Sequence, residues 1–136
     1  MTEGGSNMLI EDKAHCTIEY DPTLKCVIQT WKGFAGSQKF RASLLKTLEV
    51  FETQEATSII NNTQHSKVVA AEDLDWSARE IDPKLIECGL RKIALIVPQD
   101  RFTRHSLAHF RQNSGEHFVI QHFADLDEAK AWIAEQ

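Results

Sequence analysis

Residues 93–98 have the sequence IALIVP, and their apolar side chains fall at odd and even positions alike. A strand with apolar side chains on both faces is typical of the interior of a parallel sheet that is covered on each side. Short apolar strands of this kind alternate with helices in α/β domains. We therefore expect an α/β fold with residues 93–98 at the centre of its sheet.

Two strands with clear alternation lie near the N-terminus, at residues 16–20 and 24–29. The intervening residues 21–23, Asp-Pro-Thr, favour a tight turn, because proline presets φ and aspartate supplies a side-chain acceptor. The two strands are therefore predicted to form an antiparallel hairpin at one edge of the sheet.

The rest of the chain alternates between helical and strand patterns. Helix signals are the 3.6-residue apolar spacing and the capping residues Ser37, Asp82 with Pro83, and Asp125. The predicted order is ββαβαβαβα, with residues 72–82 as an acidic loop. The later predicted elements are a helix from about residue 38, a strand at 57–61, helices at about 83–88 and 101–112, strands at 93–98 and 117–123, and a closing helix.

The domain organisation follows from length and local composition. A chain of 136 residues is long enough for one core without a metal or a disulfide. Residues 1–12 begin with a polar, glycine-rich segment and are predicted to be a flexible leader, and residues 13–136 form a single domain. No apolar run approaches the ~20 residues of a membrane-spanning helix.

Several short motifs are spread over residues 14–135. They are IEYD at 18–21, WKGF at 31–34, DLDW at 73–76, GLRKIA at 89–94, and the closing Phe123, Asp125, Glu128 and Trp132. These motifs resemble the SpoIIAA-like, or STAS/SEC14-domain, family of small bacterial proteins. The resemblance implies a mixed sheet with flanking helices and a non-enzymatic binding or regulatory module.

One branch of that family switches protein partners through a phosphorylated serine or threonine. The resemblance places this residue directly after an aspartate, at the end of a strand. In this sequence, the corresponding strand is predicted to end near Asn61. Here Asn61 and Asn62 replace the aspartate, and Thr63 and Ser66 are the neighbouring hydroxyls. Phosphorylation of Thr63 or Ser66 would add about two negative charges. A phospho-regulated partner switch is therefore an alternative function.

A ligand site is predicted where parallel strands end, because α/β sheets bind ligands outside the carboxyl ends of their strands. The tryptophan of the acidic loop either closes over this edge or packs the loop onto the core. Amide donors with an aromatic wall suit a small apolar or amphipathic ligand. The predicted ligand-binding residues are Asn61, Asn62, Thr63, Trp76, Pro98 and Gln99.

The sequence contains no recognised catalytic or cofactor signature. His105 and His109 are four residues apart on a predicted helix, but Ser106 replaces the glutamate of HExxH and no third ligand can be named. Cys88 is expected at a helix C-terminus, where the dipole disfavours a thiolate. We therefore predict no metal, no cofactor and no catalytic residues, and an unrecognised enzyme is the less favoured alternative.

Charge and cysteine content set expectations about partners and location. The net charge of −5 argues against a nucleic-acid partner. Residues 72–87 are mainly acidic and residues 91–111 mainly basic, which predicts either two solvated faces or docking between copies in a homodimer. The basic residues Arg101, Arg104 and Arg111 lie on one arc of their predicted helix. Three cysteines and no signal-peptide pattern indicate a cytoplasmic protein.

Overall fold

The computed structural model describes residues 7–67, 70–97 and 118–135. Within them the chain forms strands and helices in alternation after an all-β start. The strands are β1 Met8–Asp12, β2 Cys16–Asp21, β3 Cys26–Gly33, β4 Ser58–Ser66, β5 Lys92–Ile96 and β6 Val119–Phe123. The helices are α1 Ser37–Thr53, α2 Ala71–Trp76, a π-helical turn at Ser77–Ile81, α3 Asp82–Glu87 and α4 Leu126–Ala134.

The six strands form one mixed sheet in the order β1-β2-β3-β4-β5-β6. β1, β2 and β3 are antiparallel neighbours, and β3 through β6 run parallel to one another. β5 lies between β4 and β6, and its two faces pack against different hydrophobic clusters, which explains the apolar residues at both parities of its sequence. The predicted α/β class and the β2–β3 hairpin are confirmed. Two predicted positions are wrong: β1, not the hairpin, forms that edge of the sheet, and β5 is the fifth of six strands instead of the central one.

Hydrophobic residues cover both faces of this sheet. On one face, Ile18, Val27 and Ile59 pack with apolar residues of α1, the π turn and α3. On the other face, Ile28, Ile60 and Ala94 pack with the buried stripe of α4. We call these the α1 face and the α4 face. The candidate site lies on the α1 face.

The predicted leader is wrong for residues 8–12, which form β1. Met8 pairs with Tyr20 and Asp12 with Thr17 in an antiparallel ladder. Met8 and Leu9 are 44% and 61% exposed, so the strand has little apolar patterning of its own. The backbone ladder with β2 orders it, and residues 1–6 lie outside the described part of the chain.

β4 extends to Ser66 instead of ending near Asn61 as predicted. β3 supplies ladder partners as far as Gly33, which pairs with Ser66. The register shifts after Asn62, and there the Asn62 Oδ1 accepts a hydrogen bond from the Gln64 N–H at 3.1 Å. The polar residues were interpreted as a turn, but their backbone bonds are made in the sheet.

The acidic segment after β4 is helical, not a loop. α2 runs through the π turn into α3, so Asp82 continues a helix and makes no side-chain cap. Gly36, not Ser37, occupies the cap position of α1, and the Ser37 hydroxyl instead donates to Asp73 Oδ2 at 2.7 Å. The predicted capping roles of Ser37 and Asp82 are therefore wrong. The predicted helix at 101–112 lies outside the described residues.

Asp125 caps α4 as predicted, since its Oδ1 accepts from the Glu128 N–H at 2.9 Å. We expect Asp125→Ala to lower the free energy of unfolding by about 1 kcal/mol, the usual loss for an N-cap. Urea unfolding measures this. Asp127→Ala, in the first turn of α4, removes the same charge but no cap, so it should lower the free energy of unfolding clearly less. Equal decreases in the two variants would contradict the capping role of Asp125.

Candidate functional site

A cleft runs between the α1 face of the sheet and the helices α1, α2 and α3. It comprises two adjacent cavities that share Leu44, Asn61, Leu74 and Ser77 in their linings. The inner cavity has a volume of ≈ 80 Å³ and the outer cavity ≈ 120 Å³. One water needs roughly 10–15 Å³ of such space, so either cavity has room for several non-hydrogen atoms of a ligand.

The inner cavity has mostly apolar walls. Ile59, Ile93 and Leu95 form its floor on the sheet, and Ile81 and Leu85 contribute from the helical side. These residues exclude water and would contact the apolar body of a ligand.

Two polar residues of the inner cavity have partners within the protein. The Gln29 amide donates to Thr47 Oγ1 at 2.6 Å and accepts from the Trp31 indole N–H at 3.4 Å. The Thr47 hydroxyl in turn donates to the carbonyl oxygen of Ser43 at 3.2 Å. Since these groups satisfy one another, they fix α1 against β3 and are not free to hold a ligand.

Asn61 and Asp82 have no such partners among the described residues, and Ser77 is a further polar residue of the same lining. Asn61 Oδ1 is buried and accepts no hydrogen bond from any described residue. Asp82 lines the same cavity, and desolvation by burial raises the pKa of its carboxyl from 3.8 to about 6. The inner cavity therefore presents two oxygen acceptors within an apolar surround.

The outer cavity opens where β3 and β4 end. Trp31 and Phe40 form aromatic walls, and their ring centroids are 5.2 Å apart. Ser66 and Lys67 line the cavity at the end of β4, beside Gly33, whose φ of 61° turns the chain away from β3. This cavity joins aromatic walls to a cationic side chain at the carboxyl edge of the sheet.

A comparison with solved structures identifies the architecture. An uncharacterised protein of the DUF3478 family from Shewanella loihica PV-4, whose crystal structure has a SpoIIAA-like fold, matches with a TM-score of 0.60. The match covers 98% of this chain and 99% of that chain at 12% sequence identity. This chain has a SpoIIAA-like fold. No protein-family model and no curated protein sequence matches the chain.

The SpoIIAA-like fold brings only part of the predicted ligand site into the cleft. Asn61 and Thr63 line it, because alternate residues of β4 share one face. Asn62 lies on the α4 side of the strand, where its side chain holds the Gln64 N–H. The Trp76 ring packs beneath the Arg41 guanidinium at 4.9 Å and is not among the residues that line the two cavities. Pro98 and Gln99 lie outside the described residues.

The two hydroxyls considered for phosphorylation both make hydrogen bonds at the end of β4. Thr63 Oγ1 donates to the carbonyl oxygen of Ile96 at 2.8 Å, and Ser66 Oγ donates to that of Thr63 at 3.2 Å. A phosphate on Thr63 would remove its bond to β5. The geometry at Thr63 therefore does not favour the partner-switching alternative.

Asp82, which lines the inner cavity, was missed as a site residue. Its Ile-Asp-Pro context is typical of a helix N-cap. An N-cap role explains a carboxylate at this position, so the sequence gives no reason to place it in a cavity. The signal that could have found it is its position between Ile81 and Leu85, which both face the core. An aspartate one residue after a fully buried isoleucine lies near apolar surface if the helix continues through it.

The cysteines and the acidic segment have more ordinary roles. Burial raises the pKa of the Cys16 and Cys26 thiols to about 12 and also raises that of Cys88, so these thiols are weak nucleophiles. In the acidic segment, Asp73 is 2% exposed and paired with Arg41, so this residue is not part of a solvated face.

Metal and membrane features are defined only for the described residues. Residues 7–67, 70–97 and 118–135 contain no cluster of three histidine, cysteine or acidic side chains suited to a metal. None of the helices described in those ranges has the length and hydrophobicity needed to cross a bilayer. His105, His109, Arg101, Arg104 and Arg111 lie outside the described ranges, so the proposed pairing of basic and acidic faces in a homodimer stays a prediction.

Proposed function

We propose that this protein is a non-enzymatic binding module that takes a small amphipathic molecule into the cleft of the α1 face. The observation that carries the proposal is Asn61 Oδ1, a buried acceptor on the floor of an apolar cavity that receives no hydrogen bond from the described residues. Leaving a buried acceptor unsatisfied costs roughly 1–3 kcal/mol. A ligand that donates to Asn61 would recover this energy.

The position of the cleft supports the same proposal. Its outer cavity lies at the carboxyl ends of the parallel strands β3 and β4, which is where open α/β sheets commonly bind ligands. Its aromatic walls and Lys67 offer contacts for an apolar group and for a polar group, respectively. The similarity to STAS/SEC14-type domains and a cytoplasmic location remain part of this proposal.

The experiment is native mass spectrometry of the freshly purified full-length protein, compared with its mass after denaturation. We expect the native protein to have a mass above that of the denatured chain, because a bound ligand is lost on denaturation. Ala78→Phe fills the inner cavity, which Ala78 lines, and it should remove most of this extra mass. Ala71→Phe, at an exposed position of α2 outside the cleft, is the matched control and should keep it.

Two results would count against ligand binding in the cleft, and a third would show that the variants do not test it. A bare wild-type protein would overturn the proposal and favour a protein-binding role. Retention of the extra mass by a folded Ala78→Phe protein would place the ligand elsewhere. Equal loss in both phenylalanine variants would indicate a general effect on folding, and thermal melting of each variant distinguishes that case.

A further inference from the structure

We propose that the ligand of the cleft is a small organic amine whose ammonium group is bound in the inner cavity by Asp82 and Asn61. This inference rests on the proposed binding function and adds the chemical class of the ligand. It depends on which hydrogen-bonding groups the cavity presents, and on their charge.

The inner cavity has two side-chain oxygen acceptors that receive no hydrogen bond from the described residues. Asn61 Oδ1 is buried and receives no hydrogen bond from the described residues. An ionised aspartate is acceptor-only, and no hydrogen bond or ion pair to the Asp82 carboxylate is found among the described residues. A ligand group that complements these two oxygen acceptors must donate hydrogen bonds, and an ammonium group has three N–H donors.

The charge of the cavity points to a cation in particular. Asp82 is the only ionisable side chain in the described lining, which contains no lysine, arginine or histidine. Desolvation raises the pKa of this carboxyl, and no counter-charge among the described residues offsets it. A ligand cation would supply the missing charge, whereas a carboxylate or phosphate would be repelled by Asp82.

The aliphatic walls of the inner cavity favour an organic cation over a metal ion. Ca²⁺ takes six to eight oxygen ligands, and Mg²⁺ requires a near-octahedral oxygen shell. The lining instead consists mainly of aliphatic residues, including Leu44, Leu74, Ile81 and Leu95. Such walls suit the hydrocarbon part of an amine, and the outer cavity extends this apolar space towards Trp31 and Phe40.

The test is calorimetric titration of the full-length protein with three probes of matched chain length: hexylamine, hexanol and hexanoate. We expect hexylamine to bind about tenfold or more tightly than hexanol, the increment of a hydrogen bond to a charged group. Hexanoate should bind more weakly than either. Asp82→Asn should abolish the preference for the amine and leave hexanol binding within about twofold of the wild type.

Two further variants make the assignment specific. Asp75→Asn removes the same charge from an exposed position of α2, so it should keep the amine preference and control for general attraction to the acidic surface. Asn61→Leu should weaken the binding of hexylamine more than the binding of hexanol. Melting curves confirm that each variant is folded before it is titrated.

The outcomes separate this inference from the binding proposal. Equal affinity for amine and alcohol in the wild type would overturn the amine assignment while leaving ligand binding intact. If the Asp82→Asn protein still binds hexylamine more tightly than hexanol, Asp82 does not bind the ammonium group. Equal loss of this preference in Asp75→Asn would also overturn the role of Asp82. If none of the three probes binds but the extra mass is found in native mass spectrometry, the amine assignment fails and the binding proposal stands. If the extra mass is absent as well, both fail.

Discussion

Asp73→Ala is expected to lower the free energy of unfolding by about 3 kcal/mol, because it removes a buried carboxylate that accepts two hydrogen bonds, each strengthened by its charge. Asp73 is 2% exposed and accepts from Ser37 Oγ at 2.7 Å and from Arg41 Nε at 3.0 Å. Removing the carboxylate leaves a hydroxyl and part of a guanidinium without their acceptor. Guanidinium chloride unfolding at neutral pH measures the loss.

The control for this variant is Asp75→Ala, two residues along the same helix. Asp75 is exposed and makes no ion pair among the described residues, so its loss should change stability by less than about 0.5 kcal/mol. Similar values for the two variants would contradict the importance of the Ser37–Asp73–Arg41 contacts. A large effect of Asp73 alone would show that these contacts fasten α2, and with it one wall of the cleft, to α1.

Much of the fold could be predicted because the relevant signals are local. The alternation in β2 and β3 and the apolar run in β5 record which faces of each strand are covered. Asp125 caps its own helix three residues away, so this contact is also visible in the sequence. The parallel order then follows from strands that alternate with helices.

The elements that could not be predicted depend on partners distant in the chain. β1 and the second half of β4 have exposed or polar side chains and are ordered by ladder bonds to β2 and β3. α2 begins without a side-chain cap, and its buried Asp73 is satisfied only by residues of α1. No pattern within residues 70–82 records these contacts.

The candidate site was partly predictable for the same reason. Asn61 and Thr63 could be placed near the edge of the sheet from strand order alone, and both line the cleft. Extension of β4 beyond Asn61 then separates Asn62 from them by strand alternation. Trp76 was expected to close the site or to pack its segment, and contact with Arg41 matches the packing interpretation.

Asp82→Asn is expected to raise the free energy of unfolding at neutral pH by about 2 kcal/mol. Desolvation raises the pKa of Asp82 to about 6 in the folded protein, above the 3.8 expected for an unfolded chain. The folded state therefore binds this proton more tightly, and its stability falls as the pH rises from 3.8 through 6. Asparagine has no charge to desolvate, so the variant avoids this loss.

The decisive measurement is how the stability gained by Asp82→Asn depends on pH. The difference between Asp82→Asn and the wild type should be largest above pH 6 and should shrink towards zero well below pH 3.8, where the aspartate is protonated in both the folded and the unfolded state. Urea unfolding of both proteins at several pH values gives this curve, with Asp75→Asn as the exposed control that should show little change. A difference independent of pH would mean that shape, not ionisation, is responsible. A carboxylate that costs stability at neutral pH is consistent with a residue kept for binding, since sites commonly sacrifice stability for function.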